Sequence, residues 1–216
     1  MQPSAATSVR MEINSTILDG SLTKPRQGRN SIVIFAHGSG SSRFSPRNLH
    51  VAKVLNDSGI GTLLFDLLTE KEDQVYETRF DISLLTERLK SATNWTKNNA
   101  LATGTPRIGY FGASTGAAAA LRAAVDLQKS ISAVVSRGGR PDMAGESYLR
   151  KVRVPTLLIV GGNDKEVLEL NRSAFDLIPS EKKELIVVPN ATHLFEEPGA
   201  LESVARHASK WFQEYL

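Results

Sequence analysis

Gly112-Ala113-Ser114-Thr115-Gly116 decides how this sequence is read. Residues 106–111, Pro-Arg-Ile-Gly-Tyr-Phe, lead into it with strand character, and the small-residue run Ala117–Ala124 leads out of it as a helix. A serine between two glycines at a strand-to-helix turn is the G-x-S-x-G nucleophile elbow. So tight a turn predicts a strained backbone at the serine, with glycines on either side that let strand and helix cross closely. The Ser114 hydroxyl is expected to stand clear of the sheet edge. The Thr115 amide then sits at a helix N-terminus, where developing negative charge is favoured. The pentapeptide alone is a weak pattern, and its weight depends on whether a base and an acid accompany it.

Outward from this point, strands and helices alternate. On the N-terminal side, Val9, Met11 and Ile13 alternate with polar residues as a half-buried strand does. Thr16–Leu18, a turn at Asp19-Gly20 and Ser21–Lys24 are expected to complete an antiparallel ribbon, followed by a polar loop at Pro25–Asn30. Ser31–Ala36 is a continuous apolar run, the mark of a strand covered on both faces, and it ends in His37-Gly38-Ser39-Gly40-Ser41-Ser42. Pro46–Ser58 reads as a helix with Leu49, Val51, Ala52, Val54 and Leu55 inward, and Gly61–Leu67 as the next buried strand. The acidic segment Leu68–Arg79 has no clear period, and Asp81–Asn98 is an amphipathic helix.

Beyond the elbow come a strand at Ile131–Val135, loop or short helix over Pro141–Arg153, and a buried strand at Val154–Val160. A helix over Glu166–Leu177, a strand at Leu185–Val188 and a closing helix marked by Leu201, Val204, Ala205, Ala208, Trp211 and Phe212 complete the pattern. Such alternation predicts one α/β domain over residues 1–216, with a mostly parallel sheet covered on both faces.

At 216 residues and 41% hydrophobic content the chain can bury one sizeable core. A formal net charge of +3, with both signs mixed along the sequence, leaves no nucleic-acid footprint. The absence of cysteine excludes disulfides, cysteine-based metal sites and a cysteine nucleophile, and fits a reducing compartment. Met1–Thr7 carries no apolar core of signal-peptide length, and no stretch approaches the ~20 apolar residues of a membrane span. A soluble, cytoplasmic protein with no membrane partner is the expectation.

A serine hydroxyl needs a base to take its proton, and the base needs a carboxylate to orient it and to stabilise the imidazolium it becomes. In open α/β sheets reactive groups collect past the carboxyl ends of the strands. Asp164 follows one predicted strand, in Gly161-Gly162-Asn163-Asp164, and His193 follows the last, in Asn190-Ala191-Thr192-His193. Asp164 alone could equally cap the following helix, and His193 alone could be a loop histidine. Three residue types at three strand ends, in the order Ser, Asp, His, make the stronger reading a catalytic triad. Asp142 is the competing acid, and Asp66 is given a structural role. His50 and His207 fall within predicted helices, and His37 is read as bracing its loop. The Thr115 amide and an amide of the His37–Gly40 loop, taken as Ser39, are the candidate oxyanion hole. Four arginines, Arg43, Arg47, Arg137 and Arg140, follow strands near the same end. They are either ordinary surface residues or, for Arg43 and Arg137, candidates to hold a substrate carboxylate or phosphate.

These motifs resemble the α/β-hydrolase superfamily and, within it, the dienelactone hydrolase-like group. The resemblance spans nearly the whole chain, from the His37–Arg43 loop through the elbow and Gly161–Asp164 to Thr192-His193-Leu194-Phe195-Glu196-Glu197-Pro198-Gly199. It implies an α/β-hydrolase fold of about eight strands with no large cap. It also implies hydrolysis of a small-molecule ester through an acyl-serine, without metal or organic cofactor. One departure is plain: dienelactone hydrolases proper use a cysteine nucleophile, and this chain has serine. An acyltransferase or perhydrolase with the same triad, or a non-catalytic binding module on the same fold, are the competing functions.

Overall fold

In a computed structural model, which describes residues 6–13, 16–26, 30–100 and 104–216, the chain forms an eight-stranded sheet flanked by helices. The strands are β1 (Thr7–Ile13), β2 (Thr16–Thr23), β3 (Ser31–Ala36), β4 (Gly61–Phe65), β5 (Arg107–Ala113), β6 (Ile131–Arg137), β7 (Thr156–Gly161) and β8 (Lys183–Val188). The helices are α1 (Pro46–Asp57), α2 (Glu70–Asp73), α3 (Ile82–Asn99), α4 (Thr115–Asp126), α5 (Glu146–Leu149), α6 (Lys165–Leu177) and α7 (Ala200–Tyr215), with 3₁₀ turns at Glu77–Phe80 and Pro141–Ala144. Strand order is β1-β2-β4-β3-β5-β6-β7-β8. The β1–β2 and β2–β4 pairs are antiparallel, and the pairs from β4 to β8 are parallel.

Two cores account for the continuous apolar strands. Along β3, Ile32, Ile34 and Ala36 face one core with Leu85 and Leu89 of α3 and Ala118 to Ala120 of α4. Val33 and Phe35 face the other, with Val51 and Leu55 of α1 and Val204, Ala208 and Phe212 of α7. Successive side chains of a strand point to opposite faces, so a strand between two helical layers must be apolar at every position.

Two sequence expectations change. Asp19-Gly20 is not a turn, because β2 runs unbroken through it. Gly20 pairs with Val9 on one side and Phe65 on the other. A Cβ there would come within 3.1 Å of Val9 Cγ2 and 3.2 Å of Leu63 Cδ1, so close strand packing, not turn geometry, explains this glycine. Leu49, expected inward, is exposed, and Asn48 takes the buried position on α1. The strands β5 and β6 also run two residues further than their apolar runs suggest, through Ala113 and Arg137. Of the polar loop read at Pro25–Asn30, residues 27–29 lie outside the described part.

The parallel strands end together, and the crossing of β5 with α4 sits at the centre of that edge. A Cβ on Gly112 would lie 2.5 Å from Ala117 Cα, and one on Gly116 would lie 2.1 Å from the Ala36 carbonyl oxygen. Neither distance is physically available, and the atoms in the way are backbone. Gly116→Ala is therefore expected to lower unfolding free energy by about 3 kcal/mol or more. Gly104→Ala is the control: a Cβ there meets nothing within 4 Å, although φ is +77°. Its expected cost is no more than about 1 kcal/mol, read from paired urea titrations of the two variants.

Candidate active site

Ser114 follows β5 directly, with φ 49° and ψ −121°, a conformation that non-glycine residues avoid. Such a backbone costs of order 1–3 kcal/mol and persists only where neighbours hold it. Here they do: Ser114 N–H donates to the Arg137 carbonyl (3.4 Å), and the Ser114 carbonyl accepts from Ala117 N–H (3.1 Å) and Arg140 N–H (3.1 Å). The serine is half-buried, and none of the described hydrogen bonds uses its Oγ.

Asp164 occupies the position before α6 where a capping residue would stand, yet its side chain makes no cap hydrogen bond. Its Oδ2 instead accepts from His193 Nδ1 at 2.6 Å. A carboxylate can only accept, so Nδ1 carries a proton, and in the neutral ring the lone pair is then on Nε2. The Asp164 side chain is 14% exposed and that of His193 is 39% exposed, so the carboxylate is sheltered while the imidazole meets solvent. The two loops are stitched together along their backbones. Gly162 N–H donates to the Val188 carbonyl (2.9 Å), and Asn163 N–H donates to that of Ala191 (2.9 Å). Asn163 Nδ2 reaches the Asn190 carbonyl (2.9 Å). Asn190 and Phe195 bracket His193 with φ of 61° and 57°. The Phe195 side chain is buried in the core beneath, which anchors the loop carrying the histidine.

His37 is held at both nitrogens: Nδ1–H donates to the Gly38 carbonyl (3.0 Å), and Nε2 accepts from Leu67 N–H (3.0 Å). It ties the loops after β3 and β4 and is buried, and burial pushes its pKa below the ordinary 6.5.

Two expectations about individual groups require correction. Ser39 N–H, expected to point into an oxyanion hole, donates instead to Thr115 Oγ1 at 3.0 Å. Thr115 N–H, at the first position of α4, has no partner within the helix. The Thr115 hydroxyl, having accepted from Ser39, keeps its own proton to donate. Arg43, expected to be available to a substrate anion, is committed to Asp66, which accepts from its backbone N–H (2.7 Å) and from its Nη1. A cavity of about 390 Å³ bordered by Asp19, Arg43, Asp66 and Asp73 adjoins this pair, and neither Ser114, Asp164 nor His193 lines it. Asp142, the competing acid, is held by Arg140 through Nε (2.9 Å) and Nη2 (2.8 Å). Arg137 is no surface residue, being 7% exposed.

Comparison with known proteins agrees with this architecture. The crystal structure of dienelactone hydrolase from Anabaena variabilis ATCC 29413 matches with a TM-score of 0.94 and 50% identity, over 100% of both chains. Est1E from Butyrivibrio proteoclasticus, at 16% identity, shares the fold with a TM-score of 0.81 over 96% of this chain and 98% of its own. A serine hydrolase without lid from Xanthomonas campestris, at 18% identity, has a TM-score of 0.76 over 100% of this chain and 97% of its own. Two Mycobacterium tuberculosis proteins, from strains CDC 1551 and H37Rv, are 57% identical over 197 residues. Each carries the name "Putative phosphoribosyl transferase". That match takes in 91% of this chain, which spans only 44% of their length. No family model matches the chain. The fold is that of the α/β hydrolases, and the chain belongs to their dienelactone hydrolase-like group.

The buried His37 gives a pH test. Its folded pKa is lowered, so in acid the unfolded chain binds the extra proton. The stabilisation is complete above the ordinary value of 6.5 and is lost as pH falls from there through the lowered pKa of the folded protein. Urea unfolding from pH 7.5 to 5 should show stability falling with acid, with a shallower slope in His37→Gln.

Proposed function

We propose that this chain is a serine hydrolase that cleaves a carboxylic ester, or a related lactone or thioester, of a small molecule. The reading treats residues 1–216 as one catalytic domain and gives Ser114, His193 and Asp164 the roles of nucleophile, base and orienting acid. The observation that carries it is the 2.6 Å bond from His193 Nδ1 to Asp164 Oδ2, since it takes Asp164 away from the cap it would otherwise serve.

The chemistry follows from which atoms are free. As Ser114 Oγ attacks the carbonyl carbon, its proton passes to His193 Nε2, and Asp164 steadies the imidazolium that results. Negative charge gathers on the former carbonyl oxygen, toward which Thr115 donates its N–H and its hydroxyl proton. Collapse breaks the carbon–oxygen bond to the alcohol, which takes the proton from Nε2. Water repeats the sequence on the acyl-serine and regenerates the hydroxyl. Hydrogen bonds between nucleophile and base are often long before substrate arrives, so the unengaged Oγ is compatible with this role.

Membership of the dienelactone hydrolase-like group and the likeness to Est1E support hydrolysis. The mycobacterial relatives are more than twice as long as the matched region, so their transferase name describes proteins with a large part beyond this chain.

A fluorophosphonate probe should label Ser114 and leave Ser114→Ala unlabelled. With a short-chain nitrophenyl ester, Asp164→Asn is expected to lower kcat by roughly 10³- to 10⁴-fold, by allowing the wrong histidine tautomer. A folded wild-type protein that takes no label and turns over no ester, lactone or thioester would sink the proposal and favour a binding module.

A further inference from the structure

The ring of His37 has no place for a second proton. Nδ1–H donates to the Gly38 carbonyl (3.0 Å) and Nε2 accepts from Leu67 N–H (3.0 Å), so both nitrogens are satisfied only while the imidazole is neutral. A proton on Nε2 sets one donor against another, and the bond from Leu67 must break. That bond joins the loop after β3 to the loop after β4, and the first of these is packed against the reacting serine. A Cβ on Gly38 would stand 2.9 Å from Ser114 Cβ and 3.7 Å from Ser114 Oγ. The next residue, Ser39, gives its N–H to Thr115 Oγ1 at 3.0 Å. The residues that follow His37 in sequence therefore touch the nucleophile and the Thr115 hydroxyl directly.

A proton has a way to reach this ring apart from the triad. His37 borders the cavity of about 390 Å³ that neither Ser114, Asp164 nor His193 lines. Burial lowers its pKa below 6.5, while the Gly38 carbonyl, Asp66 after β4 and Asp73 of α2 pull the other way. Arg43 pairs with Asp66 and Arg79 with Asp73, which weakens the attraction of both carboxylates for an imidazolium. Asp19 of β2 and Glu70 of α2 border the same cavity. The ring is thus neutral at neutral pH and gains its second proton only in acid.

We propose that His37 is a proton-operated latch on the active site: in acid, a proton at Nε2 releases the Leu67 amide, the Gly38-Ser39 segment shifts from Ser114 and Thr115, and turnover stops. His37 acts through the loop and touches no substrate, so it is a positioning residue. The proposal rests on the serine-hydrolase reading and adds a second proton to the acid limb of that activity. His193 must be neutral to act as a base, which accounts for the first. When two groups must both be neutral, the rate falls in acid with the square of the proton concentration; with one group it falls with the first power.

The test is kcat/KM on a short-chain nitrophenyl ester as pH is lowered, with circular dichroism marking the range in which the chain stays folded. At the acid end wild type is expected to lose about 100-fold per pH unit, and His37→Gln about 10-fold. The glutamine oxygen can accept from Leu67 but takes up no proton. A purely structural histidine would give both proteins the same first-power limb. A wild-type limb that stays first-power through the titration of the His37 ring overturns the proposal. A second readout needs neither turnover nor a substitution at His37. In Ser114→Ala, amide NMR should show the Leu67 and Ser39 signals moving with the His37 ring, at one midpoint below 6.5. A Ser39 amide that does not follow the ring, or a ring that stays neutral until the chain unfolds, also overturns it. If no ester is cleaved at any pH while both amides follow the ring, the hydrolase reading fails and the proton-driven loop shift stands. Hydrolysis with a first-power limb removes the latch alone.

Discussion

A backbone angle that side-chain-bearing residues avoid, φ 49° at Ser114, is the condition that the rest of this molecule satisfies. It can exist only because α4 lies so close to β5 and to the end of β3 that a Cβ is excluded at Gly112 and at Gly116. The crossing is fixed in turn by two apolar layers that clamp the sheet from both sides. On one side the alanines of α4 allow close approach to β3 and β5; on the other, Phe111 and Phe35 stack with ring centroids 4.9 Å apart. The strain at one serine is thus held by burial spread across the sheet, which is how folded proteins retain local conformations of this cost.

Three loops lie with that serine at the carboxyl edge of the sheet, each secured by a different device. The loop after β3 is pinned by His37, neutral and bonded at both ring nitrogens. The loop after β7 ends in Asp164, and its backbone is hydrogen-bonded to the loop after β8. That last loop is anchored by the buried ring of Phe195. Asp164 and His193 therefore meet at 2.6 Å because their backbones are already joined, so little ordering is left for the side chains to supply. Thr115 takes part twice, with a backbone N–H at the start of α4 and a hydroxyl that receives the Ser39 amide.

Much of this was legible in the sequence, for physical reasons. The run Ser31–Ala36 announced a doubly covered strand because each of its faces has its own helical layer. The Ser, Asp, His order at strand ends was readable because a parallel sheet gathers those ends on one edge. What was misread depended on partners distant in sequence. Gly20 looked like a turn residue because its crowding comes from Val9 and Leu63. Arg43 looked free because its carboxylate, Asp66, lies on another loop. Ser39 was assigned an amide that the Thr115 side chain turns out to occupy. The burial of Arg137 had no sequence signal at all, since an arginine closing a strand reads as a surface charge.

The central claim is that Ser114, His193 and Asp164 act as one catalytic unit, and additivity of their substitutions tests it most directly. The measurement is kcat on a short-chain ester for Ser114→Ala, His193→Ala, Asp164→Ala and the triple variant, with fold checked by circular dichroism. A unit predicts that Ser114→Ala and His193→Ala each lose nearly as much as the triple variant, leaving only the residual rate of binding and oxyanion stabilisation. Losses that multiply across the three positions, or a His193→Ala variant that keeps most of its rate, would contradict the account.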